Sequence, residues 1–183
     1  MRVRKQGMFF LLIILSSFLV FLASAPASAR TMEDLFTARD WKGVDQLLAE
    51  KGDSLSPREQ SMAANALWFR SRWADALVLL KKSAPHWPSA VRPYGTLMTI
   101  LALERTGEKD GARKTAAEFL SSAPKDIGYY VAYALYRLTD EKDIEGRKKY
   151  LRKMYSLAEN TSQQSTALSF LLKLPGDKTA YAL

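Results

Sequence analysis

From Arg30 onward the apolar residues of this chain recur with the spacing of helix faces, and that recurrence limits the fold more than any other feature. Trp73, Ala76, Leu77, Leu80 and Ala84 follow i, i+3, i+4, i+7 and i+11, a stripe on one side of a helix that another helix must cover. Ile127, Tyr130, Val131, Ala134, Leu135 and Leu138 repeat the pattern, and so do Ala112, Ala116, Phe119, Leu120 and Ala123. No convincing period-two alternation bounded by hairpin turns accompanies them, so the expected class is all-α.

Local punctuation divides this pattern into short helices. Ser56-Pro57-Arg58-Glu59 joins an N-cap hydroxyl, a proline at the first helical position and a carboxylate at the third, within reach of the cap N–H. Pro85 and Pro88 close one helix and Pro124 another, because proline brings no N–H and clashes with the preceding turn. Gly107 marks a tight turn. The helices are expected over 32–38, 40–51, 57–70, 73–83, 89–106, 109–122, 127–139, 143–158 and 161–173. Connections this short force successive helices to lie antiparallel, hairpin after hairpin.

The segments also resemble one another. Ala64, Ala76, Leu80 and Pro88 stand at offsets of 12, 4 and 8, and Ile100, Ala112, Ala116 and Pro124 reproduce them 36 residues later. Ala134, Gly146 and Tyr150 repeat the first two offsets after a further 34. These spacings resemble the tetratricopeptide repeat (TPR), a unit of about 34 residues made of a helix, a tight turn and a second helix. The resemblance covers 57–159. It implies close helix crossings at Ala64 with Ala76 and at Ala134 with Gly146, a bulky apolar residue one turn later, and a proline exit. Ile100 departs from it by replacing a small residue, and the third unit lacks the proline. The implied architecture is a short right-handed solenoid of antiparallel helical hairpins, in which each hairpin buries its apolar face against the next.

Ahead of the helices, Arg2, Arg4 and Lys5 precede an uncharged apolar run from Met8 to Ala23 and an Ala27-Ser28-Ala29 cleavage pattern, the order of an export signal. The reading is therefore a signal peptide over 1–29, a helical domain over 30–174 and a tail over 175–183, with an uncleaved inner-membrane anchor facing the periplasm as the alternative. Removing the segment's three basic residues leaves 24 basic against 19 acidic ones, so the net charge falls from +8 to +5. There is no cysteine. A cysteine-free exported helical domain fits a bacterial periplasm, or secretion, and must rely on its core instead of on disulfides. Asn160-Thr161-Ser162 matches the glycosylation sequon, but reads better as a helix cap.

Signatures of catalysis are thin, and no catalytic, cofactor-binding or metal-binding residue is assigned. His86 is the only histidine, so neither a histidine metal cluster nor a second acid–base histidine can be assembled, and thiol nucleophiles are excluded. Asp140, Glu141, Asp143 and Glu145 could pair for glycoside chemistry, but they fall at a helix start, where the dipole favours them. Arg147, Lys148, Lys149, Arg152 and Lys153 form the densest basic cluster, on a helix whose buried stripe is Ile144, Leu151, Met154, Tyr155 and Ala158. That is the pattern of a solvated face. Nucleic acid is a poor partner for an exported protein.

The aromatic residues carry the binding signal. Met62 to Phe69 holds more large or apolar residues than one narrow stripe can bury, so some face a partner. In the TPR family the first helices line a concave groove for peptides or helices. The resemblance maps Asn65, Trp68, Phe69, Leu97, Leu101, Glu104, Arg105, Val131 and Leu135 to that face. Asn65 also matches a carboxylate-clamp position, but Ser61, Thr96, Gly128 and Ala132 occupy the others, which argues against a specialist for C-terminal carboxylates. The functional expectation is a non-enzymatic scaffold that binds another protein or peptide of the cell envelope. The alternative is a helical accessory domain of an envelope polysaccharide or peptidoglycan system. A membrane is a partner only if the N-terminal segment is uncleaved.

Overall fold

The computed structural model of the chain describes residues 30–175. The expected export segment over 1–29, and the tail from 176 onward, lie outside the described residues. Among the described residues there are nine α-helices and no strand: α1 Met32–Thr37, α2 Trp41–Lys51, α3 Pro57–Phe69, α4 Trp73–Ser83, α5 Arg92–Arg105, α6 Lys109–Leu120, α7 Lys125–Leu138, α8 Ile144–Leu157 and α9 Thr161–Leu171. Short 3-10 turns follow α2 (Gly52–Ser54) and α4 (Ala84–His86). None of these helices is long and apolar enough to cross a membrane.

Side chains satisfy the orphan N–H groups at several starts, as caps must. The Ser56–Glu59 capping box opens α3 with Pro57 behind it, and Thr31 and Asp34 form a second box at α1. Asp40, Asp143 and Asn160 accept from the N–H of Gly43, Gly146 and Gln163 at 3.0, 2.9 and 3.0 Å. Asn160 is thus a helix cap. Two starts differ from expectation. α5 begins at Arg92 instead of 89, which puts Pro93 in the first turn, where the N–H it lacks would have had no partner within the helix. α7 begins at Lys125, two residues before Ile127, because Pro124 also serves as its N-cap residue, with its carbonyl accepting from the Gly128 N–H.

Three of the turns between helices share one geometry. Asp40, Arg72 and Glu108 each donate a backbone N–H to the carbonyl five residues earlier, on Leu35, Leu67 and Leu103, all at 2.9 Å. The residue before each donor, Arg39, Ser71 and Gly107, is left-handed with φ of 53°, 59° and 87°. This is a Schellman ending whose last residue is already the N-cap of the next helix, so the chain reverses almost without a loop. Leu35, Leu67 and Leu103 stand 32 and 36 residues apart. The α7–α8 connection is longer and lacks the pattern.

Helices pack on their neighbours in chain order, and α1 also touches α3, and α5 touches α7, across the helix between. The second helices α2, α4, α6 and α8 make no comparable contact with one another. The core is a chain of clusters: Met32, Val44, Leu47 and Ala63 around α1–α3; Ala64, Leu80, Trp87, Met98 and Ala112 around α3–α6; Ile100, Ala116, Val131 and Leu135 around α5–α7; Tyr129, Leu151, Met154 and Leu171 around α7–α9. Ala64, Ala76, Ala112 and Ala134 are completely buried, as close crossings require. Gly146 instead faces the capping carboxylate of Asp143, where a Cβ would come within 2.2 Å of an oxygen.

Candidate interaction surfaces

An aromatic edge runs along the hairpin turns. α2 and α4 each open on a tryptophan, Trp41 and Trp73, and the tight turn before it aims the ring at the end of the next first helix. Trp41 stacks on Phe69 with centroids 6.5 Å apart and meets Phe36 edge-on at 5.9 Å. Trp73 lies 6.4 Å from Trp68 and carries the Arg105 guanidinium 5.1 Å above its ring, a cation–π contact. Phe69 and Arg105 are equivalent, each two residues after the leucine that anchors its turn. Phe69 is nevertheless 68% exposed.

The other residues mapped to a groove are drawn into the protein's own contacts. Val131 and Leu135 are fully buried and Leu97 nearly so, in the core shared by α5, α6 and α7. They line no open surface, a correction whose cause is direct packing of α5 on α7: the stripe mapped outward faces the neighbouring helix. Leu101 is half-buried against the same core, and Trp68 against the cluster of Ala64, Leu77 and Trp87. Asn65 donates to the Ser61 carbonyl at 3.0 Å and accepts from the Tyr94 hydroxyl at 3.4 Å, which ties α3 to α5. Glu104 forms an ion pair with Arg137, whose guanidinium also covers Tyr133. Of the mapped set, Phe69 and Arg105 remain exposed.

Sequence reasoning missed Tyr94 and Val78, large apolar side chains at 45% and 69% exposure, and it placed Tyr130 on the covered stripe of α7, where the structure leaves it 48% exposed. Val78 stands beside residues of a buried stripe, and Tyr130 falls at the edge of one, where its neighbour Tyr129 is the residue that is buried. Trp41 was missed as well, although the repeat of Asp40-Trp41 as Arg72-Trp73 after 32 residues could have marked it.

Two open grooves lie between second helices. The first, about 490 Å³ between α2 and α4, has Leu48, Leu67, Leu79 and Val78 along its apolar walls. Its charges are balanced. Arg70 grips Asp45 with two hydrogen bonds of 2.7 Å, and Arg72 joins Asp45 at 2.9 Å and Asp75 at 2.7 Å. Hydrogen bonding to Arg70 holds the Asp45 carboxyl below its usual range, with the charges of Arg70 and Arg72 acting the same way against desolvation. The second groove, about 590 Å³ between α6 and α8, has Ala117, Leu120 and Tyr150 below Lys149, Arg152 and Lys153.

The chain matches no protein-family model, no curated protein and no solved structure. The chemistry of its residues is therefore the evidence for function. His86 is exposed at the end of a 3-10 turn. Asp143 caps α8 and Glu145 pairs with Lys148 at 2.9 Å, so both are engaged in holding the helix. Among the described residues, no group of three or more His, Cys, Asp or Glu is placed to hold a metal ion. Within the basic cluster, Lys148 is buried and Arg147 stacks over Tyr136 while donating to its hydroxyl at 2.8 Å. Lys149, Arg152 and Lys153 face the groove.

Proposed function

We propose that this chain is an exported, non-enzymatic interaction scaffold of the bacterial cell envelope, built as a short right-handed stack of TPR-like hairpins. Support for the repeat comes from the three congruent Schellman turns and from the buried alanines at 64, 76 and 112. The observation that carries the binding role is Phe69, exposed and held in place by the Trp41 ring. An aromatic side chain already fixed by packing loses little entropy on docking, and such residues dominate interface energies.

The test is crosslinking through a photoreactive residue next to Phe69, in native envelope fractions. One discrete protein adduct is expected, lost on Phe69→Ala with an unchanged helical spectrum and kept on His86→Ala. No Phe69-dependent adduct, or turnover of an envelope polymer that depends on His86 or on Asp140 to Glu145, would sink the reading. Trp68 is the poorer probe, because its ring supports the core. The second reading, an accessory domain of a polysaccharide or peptidoglycan system, draws its support from the basic groove between α6 and α8.

A further inference from the structure

The two grooves between second helices differ in charge although they occupy corresponding places. Between α2 and α4 the carboxylates of Asp45 and Asp75 meet Arg72 at 2.9 and 2.7 Å, so that wall is internally neutralised. Between α6 and α8, Lys149 and Lys153 line the groove on either side of Arg152, which is itself engaged in an interaction, and none of the described residues lining the groove is acidic. Lys149, Arg152, Lys153 and Ser156 fall at i, i+3, i+4 and i+7 of α8, so they form one stripe about 10 Å long at 1.5 Å per residue. The opposite stripe, Leu151, Met154 and Ala158, is buried, which fixes the rotation of the helix and points the basic stripe outward. Across the groove α6 offers only small side chains at its rim, Ala117 and Ser121, which leaves the space open above Leu120 and Tyr150.

We infer that this groove receives an acidic amphipathic helix of a partner protein, with carboxylates at i, i+3 or i+4, and i+7 against the basic stripe and apolar residues on Leu120 and Tyr150. The inference rests on the scaffold reading and names the partner's chemistry. Charge complementarity selects an anion. The apolar floor separates a helix from a bare polyanion, since a phosphate or uronate polymer gains nothing from covering Leu120, whereas an amphipathic helix buries apolar area there.

The test is fluorescence anisotropy on the purified protein, with a labelled 15-residue helical peptide as probe that carries glutamates at that spacing beside leucines. Comparators are the same peptide with serine for leucine, polyglutamate, and phosphatidylglycerol vesicles. Saturable binding is expected, weakened about tenfold or more by the Lys149→Glu/Lys153→Glu pair and by added salt, and unchanged by Val78→Ser in the other groove. The serine peptide and polyglutamate should bind at least about tenfold more weakly. Both lysines are exposed, so the helical spectrum should persist, and Lys149→Gln/Lys153→Gln gives a milder version of the same change. Absence of peptide binding, insensitivity to the lysine changes, or equal binding of polyglutamate or vesicles would overturn the inference. The Phe69-dependent adduct is read separately. If it survives the lysine changes while the peptide assay fails, the groove assignment falls and the scaffold reading stands.

Discussion

Arg39 and Ser71 hold left-handed backbone that L-residues adopt at a cost of about 1–2 kcal/mol, while Gly107 occupies the equivalent turn without it. Glycine loses about 0.5–1 kcal/mol of its own in conformational entropy on folding, so Ser71→Gly should stabilise the protein by about 0.5 kcal/mol. Gly107→Ala should destabilise it by about 1 kcal/mol. Urea unfolding of both variants checks the pair, and a loss of stability in Ser71→Gly would contradict the Schellman assignment. Gly95 is constrained differently. A Cβ there would stand 1.9 Å from the ring of the buried Trp87, so α5 accepts this tryptophan only because the position lacks a side chain. Gly95→Ala should overpack the cluster and cost about 1–3 kcal/mol, with a matching fall in Tm and altered Trp fluorescence.

Between elements, the clamp of Asp45 by Arg70 and Arg72 ties α2 to the α3–α4 turn. Asp45 titrates below its usual range in the folded protein, chiefly because Arg70 hydrogen-bonds to it. Its contribution is therefore complete above the unfolded value near pH 4 and is lost as pH falls through the lower folded value. Asp34 and Glu59 are depressed in the same direction by their capping bonds to Thr31 and Ser56. Stability of the wild type should fall on acidification below about pH 4. Asp45→Asn should be less stable at pH 7 and lose less between about pH 4 and 2, with the capping carboxylates supplying the remaining slope. Unfolding midpoints across that range check it; parallel curves for the two proteins would show that Asp45 carries none of the dependence.

For the molecule as a whole, rows of different closeness explain where the open space lies. First helices touch at α1–α3 and α5–α7 while second helices stand apart, so the gaps open on the second-helix side. The exported reading makes a separate prediction for the whole chain. Because Arg2, Arg4, Lys5, the run to Ala23 and Ala27-Ser28-Ala29 follow the order of a cleaved signal, the mature protein from the native host should begin at Arg30. N-terminal sequencing decides this, and retention of Met1 in the membrane fraction would establish an anchor in its place.

Helix number, order and most boundaries were legible because their causes are local: apolar stripes, the Ser56–Glu59 box, the Asn160 cap and proline punctuation act within a few residues. Even the shifted starts of α5 and α7 follow from Pro93 and Pro124 in the sequence. The surface was legible only in part. Phe69 was expected to face outward, because Met62 to Phe69 is too apolar for one stripe, and it is exposed, but Val131 and Leu135 were mapped to an open face and lie in the core. Periodicity states that a stripe must be covered, and it does not state which helix covers it. That decision belongs to contacts between residues about 30 or more apart, such as α5 against α7, Trp41 against Phe69 and Glu104 against Arg137. Packing consumed one apolar face and left the basic groove between α6 and α8 open, because direct contact of the first helices holds the second ones apart.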